Sequence, residues 1–222
     1  MSDNQQIIDT PSERTIRTRT VKYRGYVIET TVEEYELNEN TVLTRDVVEM
    51  PGAVAVAVLN ENNELLMLNQ YRHSVRMNLW EVPAGLLDID GEDPLTAAQR
   101  ELAEEADLRA ETWNALTDYF SSPGASSEAG RVYLARELSE LPTEERSERT
   151  EEEAEMTYCW VPLDEAVQLV LGGKVHNALA IQAILATYVA AMRNFEGLRE
   201  ATDGWEFHPY MGQRREKPLS FR

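Results

Sequence analysis

Over its first third, the chain carries short β-branched and aromatic runs; further on, apolar residues take up helical spacing. Between Thr18 and Met50 the stretch VKYRGYVIETTVEEYELNENTVLTRDVVEM, with turn signals at Arg24-Gly25 and Asn38–Asn40, predicts several antiparallel strands. GAVAVAVL at 52–59 predicts a buried strand, Asn60–Asn63 a turn, and ELLMLNQYR at 64–72 its hairpin partner. LWEV at 79–82 reads as a short strand leading into PAGLLDIDGED. A helix then begins with Asp93 as N-cap and Pro94 at its first position, and Leu95, Ala98 and Leu102 form one apolar stripe. Strands are expected near 113–120, at RVYLARE (131–137) and at YCWVPL, with a charged loop, SELPTEERSERTEEEAE, over 139–155. LDEAVQLVL ends at Gly172-Gly173, and NALAIQAILATYVAAM (177–192) predicts a long helix capped by Asn177. Residues 1–17 are expected to be disordered, and 194–222 to form an irregular tail. Sheet elements flanking a central helix, with more helix at the end, argue an α+β sandwich.

At 222 residues the chain suffices for one substantial core or one domain with an appendage, and 42% hydrophobic residues suit a globular protein. No apolar run approaches the roughly 20 residues of a membrane helix, and the polar N-terminus has no signal-peptide core, so no membrane partner is expected. The single cysteine, Cys159, excludes an internal disulfide framework, fits a reducing cytosol and reads as packing. Three histidines without an HExxH or CxxC pattern argue against zinc. The net charge of −19 repels a phosphate backbone and disfavours nucleic acid as a partner. It suits a hard cation, which wants clustered carboxylates.

QRELAEEADL, residues 99–108, concentrates that acidity. On a helix Glu101, Glu104 and Glu105 share one patch, and like charges at this spacing cost roughly 0.2–0.5 kcal/mol per pair. Alone, such a run reads as a solvated acidic face. With a divalent cation among the carboxylates, repulsion in the empty site becomes affinity in the filled one.

Gly85, Glu92, Arg100, Glu101, Leu102, Glu104, Glu105 and Leu108 resemble the Nudix box, G-x5-E-x7-R-E-U-x-E-E-x-G-U, where U is aliphatic. Two positions depart from it: six residues separate Gly85 from Glu92, and Asp107 replaces the second glycine. The first departure falls in a loop, where length is cheap, and Asp tolerates the left-handed conformation expected at a helix end. The resemblance implies a Nudix-type α/β/α sandwich over 51–193, with an antiparallel sheet appended at 18–50. It implies Mg²⁺ (Mn²⁺ as substitute) held by Glu101 and Glu105, with Glu104 as an additional ligand and the Ala84 carbonyl joining them. Arg100 and Glu92 would form a structural pair holding the loop on the helix.

LNQYRHSVRMNLWEVPAGLLD resembles the ADP-ribose pyrophosphatase branch, and GAVAVAV, GLLD, EEAEMT and the VHNALAIQAILA helix match its actinobacterial type. In that branch Arg72 corresponds to a phosphate-binding arginine, Glu81 lies in the W-E-x-P-A-G strand, and Pro123 marks the branch. Arg45 corresponds to an arginine packed on adenine. A glutamate of a late loop deprotonates water, and alignment on EMT favours Glu153, then Glu152. The branch forms a homodimer that exchanges its N-terminal strands. The expected activity is hydrolysis of ADP-ribose to AMP and ribose 5-phosphate in the cytoplasm. The rivals are a Nudix enzyme for another nucleoside diphosphate derivative, such as a nucleotide sugar or NADH, and a non-catalytic Nudix-fold sensor of ADP-ribose.

Overall fold

The computed structural model describes residues 7–147 and 155–211. Strand β4 (Ala53–Val58) lies at the centre of the molecule and is buried throughout. Its alternation divides the core in two. Val54, Val56 and Val58 face one side with Leu68, Ala98 and Leu102, while Ala55 and Ala57 face the other with Met67, Val132 and Ile184. Helix α1 (Pro94–Ala106) supplies the first side; α2 (Leu163–Leu171) and α3 (Ala178–Met192) supply the second.

Between the helices lie a five-stranded mixed sheet and a three-stranded antiparallel one. The first contains β7 (Ala84–Leu86), β4, β9 (Ala129–Glu140), β8 (Leu108–Phe120) and β11 (Arg199–Glu200), with β4 and β9 parallel. The second places β5 (Glu64–Arg72) between β6 (Met77–Glu81) and β10 (Thr157–Pro162). The N-terminal strands β1 (Ile16–Arg24), β2 (Glu29–Asn38) and β3 (Thr41–Glu49) form a separate antiparallel sheet. It joins the body where the Val48 amide donates to the Ala125 carbonyl at 2.8 Å and Ser127 returns a bond to Val48 at 2.9 Å.

Several elements differ in extent from the sequence reading. β1 begins at Ile16, so two residues of the expected disordered segment belong to a strand; residues 7–15 carry no strand or helix, and the rest of that expectation lies outside the described residues. β8 starts at Leu108, directly after α1, because Asp107 takes the left-handed conformation (φ 56°, ψ 33°) that turns the chain from helix to strand. β9 continues to Glu140 because Leu108 and Arg109 pair with Glu140 and Ser139. The tail is not irregular throughout. β11 pairs with β8, and Trp205 and His208 are buried. Among the described residues, no helix is long and apolar enough to cross a membrane.

Candidate active site

The turn into α1 is built by its own residues. Asp93 accepts hydrogen bonds from the Leu95 and Thr96 amides at 3.1 Å each, and Pro94 occupies the first turn, where a missing N–H costs nothing. The helix therefore starts at a fixed residue, which sets the rotation of every carboxylate behind it. Glu101 and Glu105, one turn apart, fall on one face.

That face lies against β7. Glu105 is buried, and its Oε2 accepts the Ala84 amide at 2.9 Å. Gly85 leaves the room that the Glu101 carboxylate occupies: a Cβ there would lie 1.8 Å from Glu101 Oε1 and 2.1 Å from its Cδ. A side chain at this position would have to push the carboxylate off the strand. Arg100 answers the charge crowding. Its Nε and Nη2 grip both oxygens of Glu92 at 3.0 Å, while Nη1 donates to Glu101 at 2.7 Å and Glu104 at 3.0 Å. The bonds to Glu92, followed by the field of Glu101, raise the guanidinium's pKa further, so it is permanently charged.

A second ion pair sits on β5 and β6. Arg72 Nε and Nη2 bind Glu81 Oε1 and Oε2 at 2.9 and 2.7 Å, in the parallel two-bond geometry that fixes a guanidinium plane. Glu81 is buried and Arg72 partly exposed, so the pair turns an arginine edge outward from a rigid base.

Arg45 and Pro123 meet elsewhere. They line a recess of about 400 Å³ none of whose lining residues belongs to α1, and Arg45 donates to the Thr44 carbonyl at 2.8 Å. An adjoining cleft of about 560 Å³ shares Glu33, Tyr35, Pro123 and Ser127 with it and adds Phe120 and Phe207. Glu33, Ser127 and Phe207 were not singled out from the sequence. The aromatic density of GWEFHPYMG was the available signal for Phe207. Glu153 and Glu152, the expected base and its alternative, lie outside the described residues.

Among the described residues, no three His, Cys, Asp or Glu side chains are gathered as a ready-made ion cage. The donors nevertheless suit a hard cation. Glu101, Glu104 and Glu105 offer carboxylate oxygens on one helix, beside backbone brought close by Gly85.

Comparison with known proteins supplies the family. A Nudix domain model matches residues 49–182, more than half the chain. An ADP-ribose pyrophosphatase of Mycobacterium tuberculosis is 44% identical over 168 residues, covering 76% of this chain and 79% of that protein. One from Bacillus subtilis is 36% identical over 172 residues, covering 78% and 90%. A crystal structure of an ADP compounds hydrolase superposes with a TM-score of 0.69 over 84% of this chain and 98% of that one, at 17% identity, a likeness of fold alone. The domain match spans the Gly85-to-Leu108 box, both relatives exceed 30% identity over more than two thirds of their length, and the chain belongs to the Nudix family.

Proposed function

We propose that the protein is a Mg²⁺-dependent ADP-ribose pyrophosphatase, splitting the diphosphate of ADP-ribose with water to give AMP and ribose 5-phosphate. The observation that carries the reading is the intact carboxylate face of α1 seated against Gly85, in a chain 44% identical to an enzyme of that name.

Glu101, Glu105 and Glu104, with the Ala84 carbonyl, are the oxygen donors that would hold Mg²⁺, with Mn²⁺ as substitute. When bound, the cation would supply Lewis-acid stabilisation of the charge developing on the diphosphate and would lower the pKa of water. Arg100, tied to Glu92, keeps the carboxylates from splaying apart. Arg72, oriented by Glu81, supplies a guanidinium edge for a substrate phosphate oxygen. Glu153, or Glu152 next to it, takes the proton from the attacking water. Arg45 and Pro123 line the recess that would receive the adenosine end. The N-terminal sheet would exchange between protomers of a homodimer, so that the adenosine recess is completed where the two copies meet. A reducing cytosol would keep Cys159 a thiol.

A hydrolysis screen across ADP-ribose, nucleotide sugars, NADH and nucleoside triphosphates, with and without Mg²⁺, tests the reading. ADP-ribose should give the highest kcat/KM, and only with the metal. A preference for another substrate, or turnover after chelation, would overturn it.

A further inference from the structure

The cleft of about 560 Å³ has the walls of a site for a planar heterocycle. Phe120, Phe207, Pro123 and Pro209 present flat or rigid apolar surfaces, and Glu33 and Ser127 set polar atoms among them. Phe207 and Pro209 come from the segment beyond the last helix.

That segment is fastened at three points. Arg131, buried, donates to the carbonyls of Asp203 at 2.7 Å and Gly204 at 3.3 Å and lies 4.9 Å over the Trp205 ring. His208 accepts the amides of Tyr210 and Met211 on Nδ1 at 3.2 Å each, with its ring edge-on to Trp205 at 4.7 Å. It sits so close over Gly52 that a Cβ there would be 2.5 Å from Nε2.

The third fastening reaches the cleft. The Tyr210 hydroxyl donates to Glu49 Oε2 at 2.5 Å and lies 2.7 Å from Ser127 Oγ. Because its own proton goes to Glu49, Tyr210 is the acceptor for the Ser127 hydroxyl, which also receives the Met50 amide at 3.1 Å. Glu49 shares Arg19 with Glu33, at 3.3 and 3.1 Å. Tyr210 does not line the cleft, yet it orients Ser127 directly and Glu33 through a shared arginine.

We propose that residues 203–211 form a strap that shapes the nucleobase end of the substrate cleft, with Tyr210 as a positioning residue acting through Ser127 and Glu49. The occupant's identity rests on the ADP-ribose reading. Tyr210→Phe keeps the ring and removes only the hydroxyl, so the Ser127 proton loses this acceptor and Glu49 Oε2 loses this donor, while Glu49 keeps Arg19. A strap that merely held the fold together would weaken every ligand alike.

The test uses the full chain with Mg²⁺. Tyr210→Phe should raise KM for ADP-ribose roughly tenfold, as expected for one hydrogen bond to a charged group, and leave kcat within about twofold. Inhibition by AMP should weaken by the same factor, while inhibition by ribose 5-phosphate, which lacks the base, should not change. Ser127→Ala removes one of the same hydrogen bonds from the other side, so it should move KM the same way, and the double variant should cost less than the product of the two. Unchanged KM in both single variants would overturn the proposal. So would parallel weakening of both products, a fall in kcat at constant KM, or fully multiplicative losses. Wild-type protein that fails to hydrolyse ADP-ribose would instead strike the functional reading, and calorimetric AMP binding to wild type and Tyr210→Phe would still test the strap.

Discussion

At the scale of single residues, the site is a balance between repulsion and fit. Glu105 differs from its neighbours in meeting a backbone amide rather than Arg100 in the bonds described above. An amide side chain at this position can still accept from Ala84 but carries no charge for a hard cation. Glu105→Gln should therefore cut kcat/KM by a hundredfold or more, an order-of-magnitude loss of about 3 kcal/mol of transition-state stabilisation. Its metal-free melting temperature should stay within about 3 °C of wild type, roughly 1 kcal/mol for a chain of this size. Near-normal activity at saturating Mg²⁺ would remove Glu105 from the site.

His208 makes a second prediction at this scale. Burial lowers its pKa to about 4, and Nε2 leans toward the Pro51 carbonyl without meeting hydrogen-bond geometry. The unfolded chain takes up the proton near pH 6.5, so between that pH and about 4 it binds more protons than the folded chain. Stability is then lost as pH falls through this window, by about 2 kcal/mol between pH 7 and 5 from this residue. Urea titrations at the two pH values should show a smaller drop for His208→Asn than for wild type. Equal drops would exclude His208 as a source of acid sensitivity.

At the scale of elements, the C-terminal strap depends on one buried cation. Arg131 forms two bonds with Asp118, at 2.7 and 2.9 Å, in addition to those it makes to the strap. Arg131→Met keeps much of the volume but leaves a partly buried carboxylate and two carbonyls short of a donor. Breaking a buried pair from one side costs about 3 kcal/mol or more, which chemical denaturation would register, and the strap should become the first segment cleaved by limited proteolysis. A variant as stable as wild type would show that Arg199, which also binds Asp118 at 2.8 Å, suffices alone.

The run RTEEEAEMT gives the other element-scale prediction. If Glu153 takes the proton from water, Glu153→Gln should lower kcat strongly with little change in substrate or Mg²⁺ affinity, since it acts in the transition state. A large loss in Glu152→Gln with none in Glu153→Gln would shift the base by one residue. Less than about a tenfold effect in the double variant would take the base off this run and leave Glu104 to accept the proton.

At the scale of the whole molecule, the N-terminal sheet stands out. β1 is exposed along its full length, Tyr23 included, and Tyr26 and Val42 elsewhere on this sheet and its turn are exposed as well. Three strands bury little core by themselves, so this sheet needs a second surface. Sedimentation should give about twice the chain mass of 25.3 kDa. Full activity from a monomer at nanomolar concentration would rule out a shared site.

What the sequence determined follows from local rules. Asp93-Pro94 dictates the helix start, the Val/Ala alternation of β4 dictates a two-sided core, and the Glu101–Glu105 spacing dictates a common face. These depend on neighbours within a few residues and can be read from the string. The tertiary structure alone decided which distant groups meet. It set Gly85 against Glu101, gave Arg100 four carboxylate contacts, paired Arg72 with Glu81, and carried Tyr210 to Ser127 and Glu49. No periodicity marks the tail as ordered, because its anchors are single side chains whose partners lie 83 and 161 residues away for Tyr210. Contacts of that span depend on how the sheets pack, and that information is spread over the whole chain.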